Sequence, residues 1–254
     1  MAAPEYLELS AERRIAYHRL APAGEGSGRP GVLFLGGFVS DMTGTKAVWL
    51  EDWARARGRG FLRFDYRGHG ASSGAFVEGA IGDWADDAAA IVAERTEGPQ
   101  VLVGSSMGGW IALLLARRMP ERIAGLVGIA AAPDFLEDSI WEEMTVEQKM
   151  ALTREGAVRI PSDHDDEGYV VTRRMIEEAR HHLVLRQPLG CPFPVRLLHG
   201  TADTDVEPAV GVRLLDHMDC PDARLVLVKG AGHRFSGEAE LALIGASIEE
   251  ISGG

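Results

Sequence analysis

The segment Gly104-Ser105-Ser106-Met107-Gly108-Gly109 stands directly between the apolar run Val101-Leu102-Val103 and the apolar run that begins Trp110-Ile111-Ala112. The first run reads as a buried strand and the second as a buried helix, so the residues between them must turn one into the other in very little space. Glycines two positions before and two after Ser106 remove the Cβ atoms that would obstruct such a turn. A serine at the apex is lifted above the sheet edge. The next amide, that of Met107, then belongs to a helix N-terminus, where unpaired N–H groups and the macrodipole favour negative charge. Glycine is abundant here, 31 of 254 residues, so the G-x-S-x-G spacing alone carries little. Its position between a strand and a helix carries the inference, and Ser106 is the expected nucleophile.

Strand and helix signals alternate on both sides of this turn. Residues 14–20 alternate apolar and polar side chains like a half-exposed strand, and 21–30, with several Gly and Pro, reads as a turn. A buried strand at 32–35 ends in Gly36-Gly37-Phe38; a helix at 46–57, a strand at 61–64 and the loop Asp65-Tyr66-Arg67-Gly68-His69-Gly70 follow. A helix capped by Asp83 runs to about residue 95 and stops at Gly98-Pro99, and a strand at 123–129 follows the serine turn and its helix. This alternation predicts an α/β fold, a mostly parallel sheet flanked by helices with right-handed crossovers. The strands are apolar enough for burial on both faces.

The rhythm breaks between residues 134 and 189, a polar and helix-prone stretch with helical readings at 141–152, 162–168 and 169–185 and no clear buried strand. It predicts a small helical cap inserted after the sixth strand, on a core made of 1–133 and 190–254. The core resumes with a strand at 195–198, a helix at 208–218, a strand at 224–228 and a helix at 237–251.

A serine hydroxyl is a poor nucleophile at neutral pH and needs a base, which in turn needs an orienting carboxylate. In a turn of this kind the chain order is Ser, then Asp or Glu, then His, with the partners at later strand ends. His199-Gly200-Thr201-Ala202-Asp203-Thr204-Asp205 follows one such strand and Gly230-Ala231-Gly232-His233 the next. Asp203 is the preferred acid because it lies closer to its strand end, with Asp205 the alternative; His233 is the expected base. His199 and His69 read as loop histidines that pack and hydrogen-bond. The oxyanion needs two backbone donors: the amide of Met107 is one, and the loop after strand 32–35 supplies the other, from Phe38 or its neighbour Gly37.

The net charge of −12 argues against nucleic acid or an anionic membrane surface as a partner. No apolar run is long enough to span a bilayer, and the N-terminal residues carry neither a secretory signal nor a mitochondrial presequence. Cys191 and Cys220 are too few for a disulfide framework and read as reduced thiols of a cytoplasmic protein. No nucleotide-binding glycine pattern opens a helix. No metal site is expected either: His181 and His182 are adjacent, so on a helix they diverge by about 100°, and Asp163-His164-Asp165-Asp166 reads as a solvated loop. A monomer or a homodimer is expected.

At these residues the chain resembles the α/β-hydrolase superfamily, and more narrowly the small serine hydrolases grouped with mitochondrial abhydrolase-domain protein ten. The narrower likeness rests on Gly37-Phe38 with Asp41-Met42-Thr43-Gly44-Thr45-Lys46-Ala47, on Arg63-Phe64-Asp65-Tyr66, on Gly98-Pro99-Gln100 leading into the serine turn and Trp110, and on Arg196-Leu197-Leu198-His199-Gly200. It continues in the cap at Ile160-Pro161-Ser162, Glu167-Gly168 and His181-His182. The resemblance implies an α/β-hydrolase fold and cleavage of acyl glucuronides or of fatty acyl groups on protein cysteines. Thr204-Asp205 departs from it, standing where more apolar residues are usual.

The reading is therefore a serine carboxylesterase or thioesterase that works through an acyl-enzyme on Ser106, without a cofactor. Its substrate is a small acyl ester or thioester, or an acylated protein. The alternative is a catalytically idle fold that only binds ligands. The cap carries Arg173, Arg174, Arg180, Arg186, His181 and His182 among apolar residues, so Arg173, Arg180, His181 and His182, with Gly37, are candidate substrate contacts, the cations for a substrate carboxylate.

Overall fold

The computed structural model describes residues 3–162 and 165–253. In chain order its elements are β1 (Glu5–Glu8), β2 (Arg14–Leu20), β3 (Val32–Leu35), α1 (Thr45–Ala56), β4 (Phe61–Phe64), α2 (Ile81–Arg95), β5 (Gln100–Ser105), α3 (Met107–Arg118) and β6 (Ile123–Ile129). The chain continues through α4 (Val146–Glu155), β7 (Ala157–Ser162), β8 (Asp165–Thr172), α5 (Arg173–Ala179), β9 (Leu189–Gly190), β10 (Val195–Gly200), α6 (Pro208–His217), β11 (Met218–Asp219), β12 (Ala223–Val228) and α7 (Glu238–Ile251).

The main sheet has eight strands in the order β1-β2-β4-β3-β5-β6-β10-β12. β2 pairs antiparallel with β1 and β4, and every later pairing is parallel. Side chains along a strand alternate between faces, and two cores result. Leu33, Leu35, Leu102 and Leu126 pack with α2 and α3 on one face, while Val32, Phe34, Val101, Val103 and Val127 pack with α1 and α7 on the other. This is an α/β-hydrolase fold. β5 is buried along its whole length between β3 and β6, so the turn after it sits at the centre of the sheet's C-terminal edge.

Two readings of the sequence need correction, and one strand goes unread in it. Glu5–Glu8 is an edge strand with only Leu7 buried, too short and too charged to signal itself without its partner β2. Asp83 stands inside α2, not at its cap position, and its carboxylate reaches back to the Ala80 amide at 3.0 Å. The insertion between β6 and β10 is not wholly helical. After a π-helical turn at Leu136–Trp141 and α4, β7 and β8 form an antiparallel hairpin with Arg159 opposite Val170 and Val158 opposite Val171. The β-branched run Val170-Val171-Thr172 fits a pleated surface better than a helix, and only residues 173–179 of the expected long helix form one. Of the charged segment 163–166, Asp163 and His164 lie outside the described residues.

The insertion is bound to the core at several points. The buried Asp134 carboxylate accepts the amides of Val184 and Leu185 at 2.8 and 2.9 Å, and burial raises its pKa. Trp110 Nε1 of α3 donates to the His182 carbonyl at 3.1 Å, and Arg174 of α5 donates to Asp83 of α2 at 2.6 Å.

The glycines flanking Ser106 serve close approach. A Cβ at Gly104 would collide with the Gly108 carbonyl, one at Gly108 with the Leu35 carbonyl, and one at Gly109 would come within 2.6 Å of Ala131 Cβ. Gly108→Ala, which must push backbone aside, should cost about 1–3 kcal/mol of stability, read as a lower urea midpoint with an unchanged slope.

Candidate active site

Ser106 is the residue on which the elbow turns. Its backbone takes φ 54° and ψ −118°, a region that L-residues seldom occupy. Three hydrogen bonds hold it there: its amide to the Ile129 carbonyl at 2.9 Å, and its carbonyl to the amides of Gly109 at 2.9 Å and Ala132 at 3.1 Å. The left-handed conformation lifts the side chain off the sheet and leaves it half-buried, while Ser105, one residue earlier, is buried in β5.

His233 Nε2 lies 3.1 Å from Ser106 Oγ, and its Nδ1 lies 2.9 and 3.1 Å from the two oxygens of Asp203. Nδ1 therefore carries the proton it donates to Asp203, and the lone pair on Nε2 faces the serine hydroxyl. The Asp203 side chain is fully buried, and its Oδ1 also accepts the amides of Asp205 at 3.0 Å and Val206 at 2.9 Å. Burial would raise the Asp203 pKa, but donors from His199, His233 and the Val206 amide overcome that and hold it below the ordinary carboxylate range. Asp205 stands elsewhere, its Oδ2 4.0 Å from His233 Nε2, on the side of the imidazole that faces the serine. The ligand-type atoms of Asp203, Asp205 and His233 lie within 4.8 Å of one another. Both Asp203 oxygens already accept N–H groups, so this cluster is ill suited to a cation.

The loop after β3 comes up to Ser106. A Cβ on Gly37 would sit 3.5 Å from Ser106 Cβ, and Val39, two residues on, takes a positive φ of 57°. The Met107 amide is the first of α3, where no intrahelical acceptor exists. The Phe38 ring makes edge contacts with Phe76, Phe135 and Tyr169 at centroid distances of 4.9, 5.5 and 5.4 Å. Tyr169, on the hairpin, was not singled out by its sequence; a hairpin reading of Val170-Val171-Thr172 is the signal that points to it. Burial, then the nearby carboxylates of Asp205 and Glu143, raise its phenol pKa. Lys46 Nζ donates to the carbonyl of Arg234, tying the start of α1 to the histidine loop.

The basic side chains of the cap are engaged by the protein's own carboxylates: Arg173 with Glu177 at 3.7 Å, Arg180 with Glu137 at 2.8 Å, Arg186 with Asp134 and Asp138, and His182 with Glu178 at 2.6 Å. His181 is exposed. A substrate carboxylate reaching Arg173, Arg180 or His182 would share them with these partners.

His199 hydrogen-bonds in its loop as expected, and also touches Asp203. Its Nε2 lies 2.9 Å from the Val206 carbonyl and 3.3 Å from Asp203 Oδ2. Burial opposes its charge, but Asp203 and Val206 outweigh that and raise its pKa. A raised folded-state pKa stabilises the protein fully below the unfolded histidine value of ~6.5 and ceases to do so as pH rises through the folded value. His199→Asn should therefore lower the urea midpoint most at pH 5.5, and the deficit should narrow by pH 9.

A family model described as serine aminopeptidase, S33 matches residues 29–153. The mitochondrial palmitoyl-protein thioesterase ABHD10 of Mus musculus is 36% identical over 251 residues, covering 98% of this chain and 82% of that protein. The solved structure of alpha/beta hydrolase domain-containing protein 10 from mouse superposes with a TM-score of 0.88 at 35% identity over 98% of both chains. That of a putative hydrolase from Agrobacterium vitis S4 gives a TM-score of 0.92 at 36% identity, covering 98% of this chain and 97% of that one. These relatives include proteins named as mitochondrial, whereas the sequence alone pointed to the cytoplasm; no described helix is long and apolar enough to cross a membrane. Sequence and fold agree over nearly the whole length, and the chain belongs to the ABHD10 family of α/β-hydrolases.

Proposed function

We propose that this protein is a serine hydrolase that cleaves carboxylic esters or thioesters through an acyl-enzyme on Ser106. The observation that carries the reading is the continuous hydrogen-bonded line from Ser106 Oγ through His233 to the buried Asp203. As Ser106 Oγ attacks the acyl carbonyl, His233 Nε2 takes its proton and Asp203 steadies the resulting imidazolium. The amides of Met107 and Phe38 receive the oxyanion. Nε2 then returns the proton to the departing thiol or alcohol, and water attacks the acyl-serine with the same histidine as base. Residues 134–189 act as a cap whose hairpin brings Tyr169 against Phe38 and so encloses an apolar acyl group.

A fluorophosphonate probe should label Ser106 alone, with the site read by peptide mass spectrometry. Ser106→Ala should abolish turnover and Ser105→Ala should retain most of it. Asp203→Asn should cost far more activity than Asp205→Asn, since only the former leaves the base misoriented; losses on the order of 10⁴ accompany that change in an unrelated triad enzyme. Label on Ser105, or the reverse ranking of the two aspartates, overturns the assignment.

The name palmitoyl-protein thioesterase borne by the relatives supports an S-acyl substrate. Electrostatics narrows the leaving group. It departs beside His233 Nε2, where the Asp205 carboxylate stands 4.0 Å away, while the cap arginines are occupied by ion pairs. An anionic leaving group about 6 Å from that carboxylate is opposed by about 1–3 kcal/mol at an effective dielectric between 20 and bulk water. The methyl ester of an acyl glucuronide should then be hydrolysed at least about fivefold faster, by kcat/KM, than the free acid. Asp205→Asn should raise only the value for the free acid.

A further inference from the structure

Cys191 and Cys220 are the chain's two cysteines, and the fold sets them side by side. β9 and β11 pair in parallel with Leu189 opposite Met218 and Gly190 opposite Asp219. The ladder continues by one bond, the Cys191 amide to the Asp219 carbonyl at 3.0 Å, so the next pair in register is Cys191 and Cys220. Adjacent strands run about 4.8 Å apart, within the window of ~4.4–6.8 Å between Cα atoms that a disulfide spans. Equivalent positions on parallel neighbours place their side chains on the same face.

Local sequence fixes this arrangement from both sides. Cys191 precedes Pro192 and Cys220 precedes Pro221. A residue before proline is held extended, as a ladder position requires, and the proline has no N–H with which to prolong the ladder. The two thiols differ in access. Cys191 is buried in the core, whereas Cys220 is half-buried and its thiol donates to the Phe193 carbonyl at 3.3 Å. Burial, together with the neighbouring Cys220, pushes the Cys191 thiol up to about 12. Cys220 is thus the residue an external reagent meets first.

We infer that Cys191 and Cys220 form a reversible intramolecular disulfide by exchange with a low-molecular-weight disulfide. The Cys220 thiolate attacks one sulfur of the small disulfide, a mixed disulfide forms and one small thiolate leaves. Cys191 then gives up its proton and attacks the Cys220 sulfur, releasing the second small thiol. The protein loses two electrons and two protons, and the small disulfide gains them as two thiols. The bridge joins the point where the inserted segment returns to β10 to the end of α6, and so closes a loop that contains β10, the Asp203 turn and α6. Its formation restrains the unfolded chain and holds the acid-bearing turn.

The test is equilibration of the intact native protein with oxidised glutathione. The inference expects an intact mass lower by two hydrogens, loss of both titratable thiols, one linked peptide pair containing Cys191 and Cys220, and recovery with dithiothreitol. The oxidised protein should melt at a higher temperature than the reduced one. Cys191→Ser should stop at a glutathione adduct on Cys220, and Cys220→Ser should stay unmodified under the same exposure. A persistent adduct on Cys220 of the unaltered protein, a disulfide-linked dimer, or no change in thiol content would each overturn it.

Discussion

The backbone strain at Ser106 is the constraint on which the rest of the site depends. A non-glycine residue at φ 54° and ψ −118° costs on the order of 1–3 kcal/mol and survives only where its surroundings leave no alternative. The parallel ladder supplies those surroundings. Leu35 stands opposite Gly104, Gly104 opposite Gly128, and Ser105 opposite Ile129, so three strands reach the same edge in step. The Ile129 carbonyl takes the serine amide, and the backbone at Leu35 and Gly36 closes over Gly108. Releasing the strain would mean breaking the register of the central sheet.

The same edge concentrates other unfavourable backbone. Val39, Ala130, Asp134 and Phe235 all carry a positive φ, and each lies in a loop that follows a sheet strand. Val39 follows the proposed oxyanion residue, Phe235 comes two residues after the base, and Asp134 opens the insertion. The cores on the two faces of the sheet stabilise the molecule, and the strain is spent where groups must be aimed. Asp134 adds a polar tie to the apolar packing of the cap on α2 and α3: a buried carboxylate with its burial cost offset by two amides from residues about fifty positions away.

Much of this was legible in the sequence because burial leaves a local mark. Residues 32–35 and 123–129 are apolar runs, 61–64 is apolar but for Arg63, and the bounds of all three match the strands that form. Ser106, Asp203 and His233 could be named as candidates from chain order and strand ends, and the fold brings them into one hydrogen-bonded line. What could not be read depends on partners distant in sequence. The four residues of β1 become a strand only because β2 offers an edge, and the hairpin of β7 and β8 competes with a helical reading until its strands meet. Asp203 and Asp205 differ little as sequence; the turn sends one carboxylate to Nδ1 of the histidine and the other toward Nε2. The partners of Arg174, Arg180 and Arg186 could not be read because they lie on other elements, as Asp83 on α2 does for Arg174.

The arrangement around Asp203 explains how a buried carboxylate can remain charged beside the proposed base, His233. Desolvation alone would drive Asp203 to take up a proton, and a neutral acid could not steady an imidazolium. Two backbone amides fix one oxygen irrespective of what the histidines do. His199 contributes a second imidazole N–H to the other oxygen, and the Val206 carbonyl keeps that proton on Nε2. Gly211 of α6 makes room for this ring, since a Cβ there would stand 3.0 Å from His199 Nδ1. In the proposed mechanism, the charge that His233 gains with the serine proton arises next to an anion that is already ionised and already aimed, so little reorganisation accompanies the transfer. α6 thus takes part in aligning the pair through Gly211, which leaves room for the buried His199 imidazole.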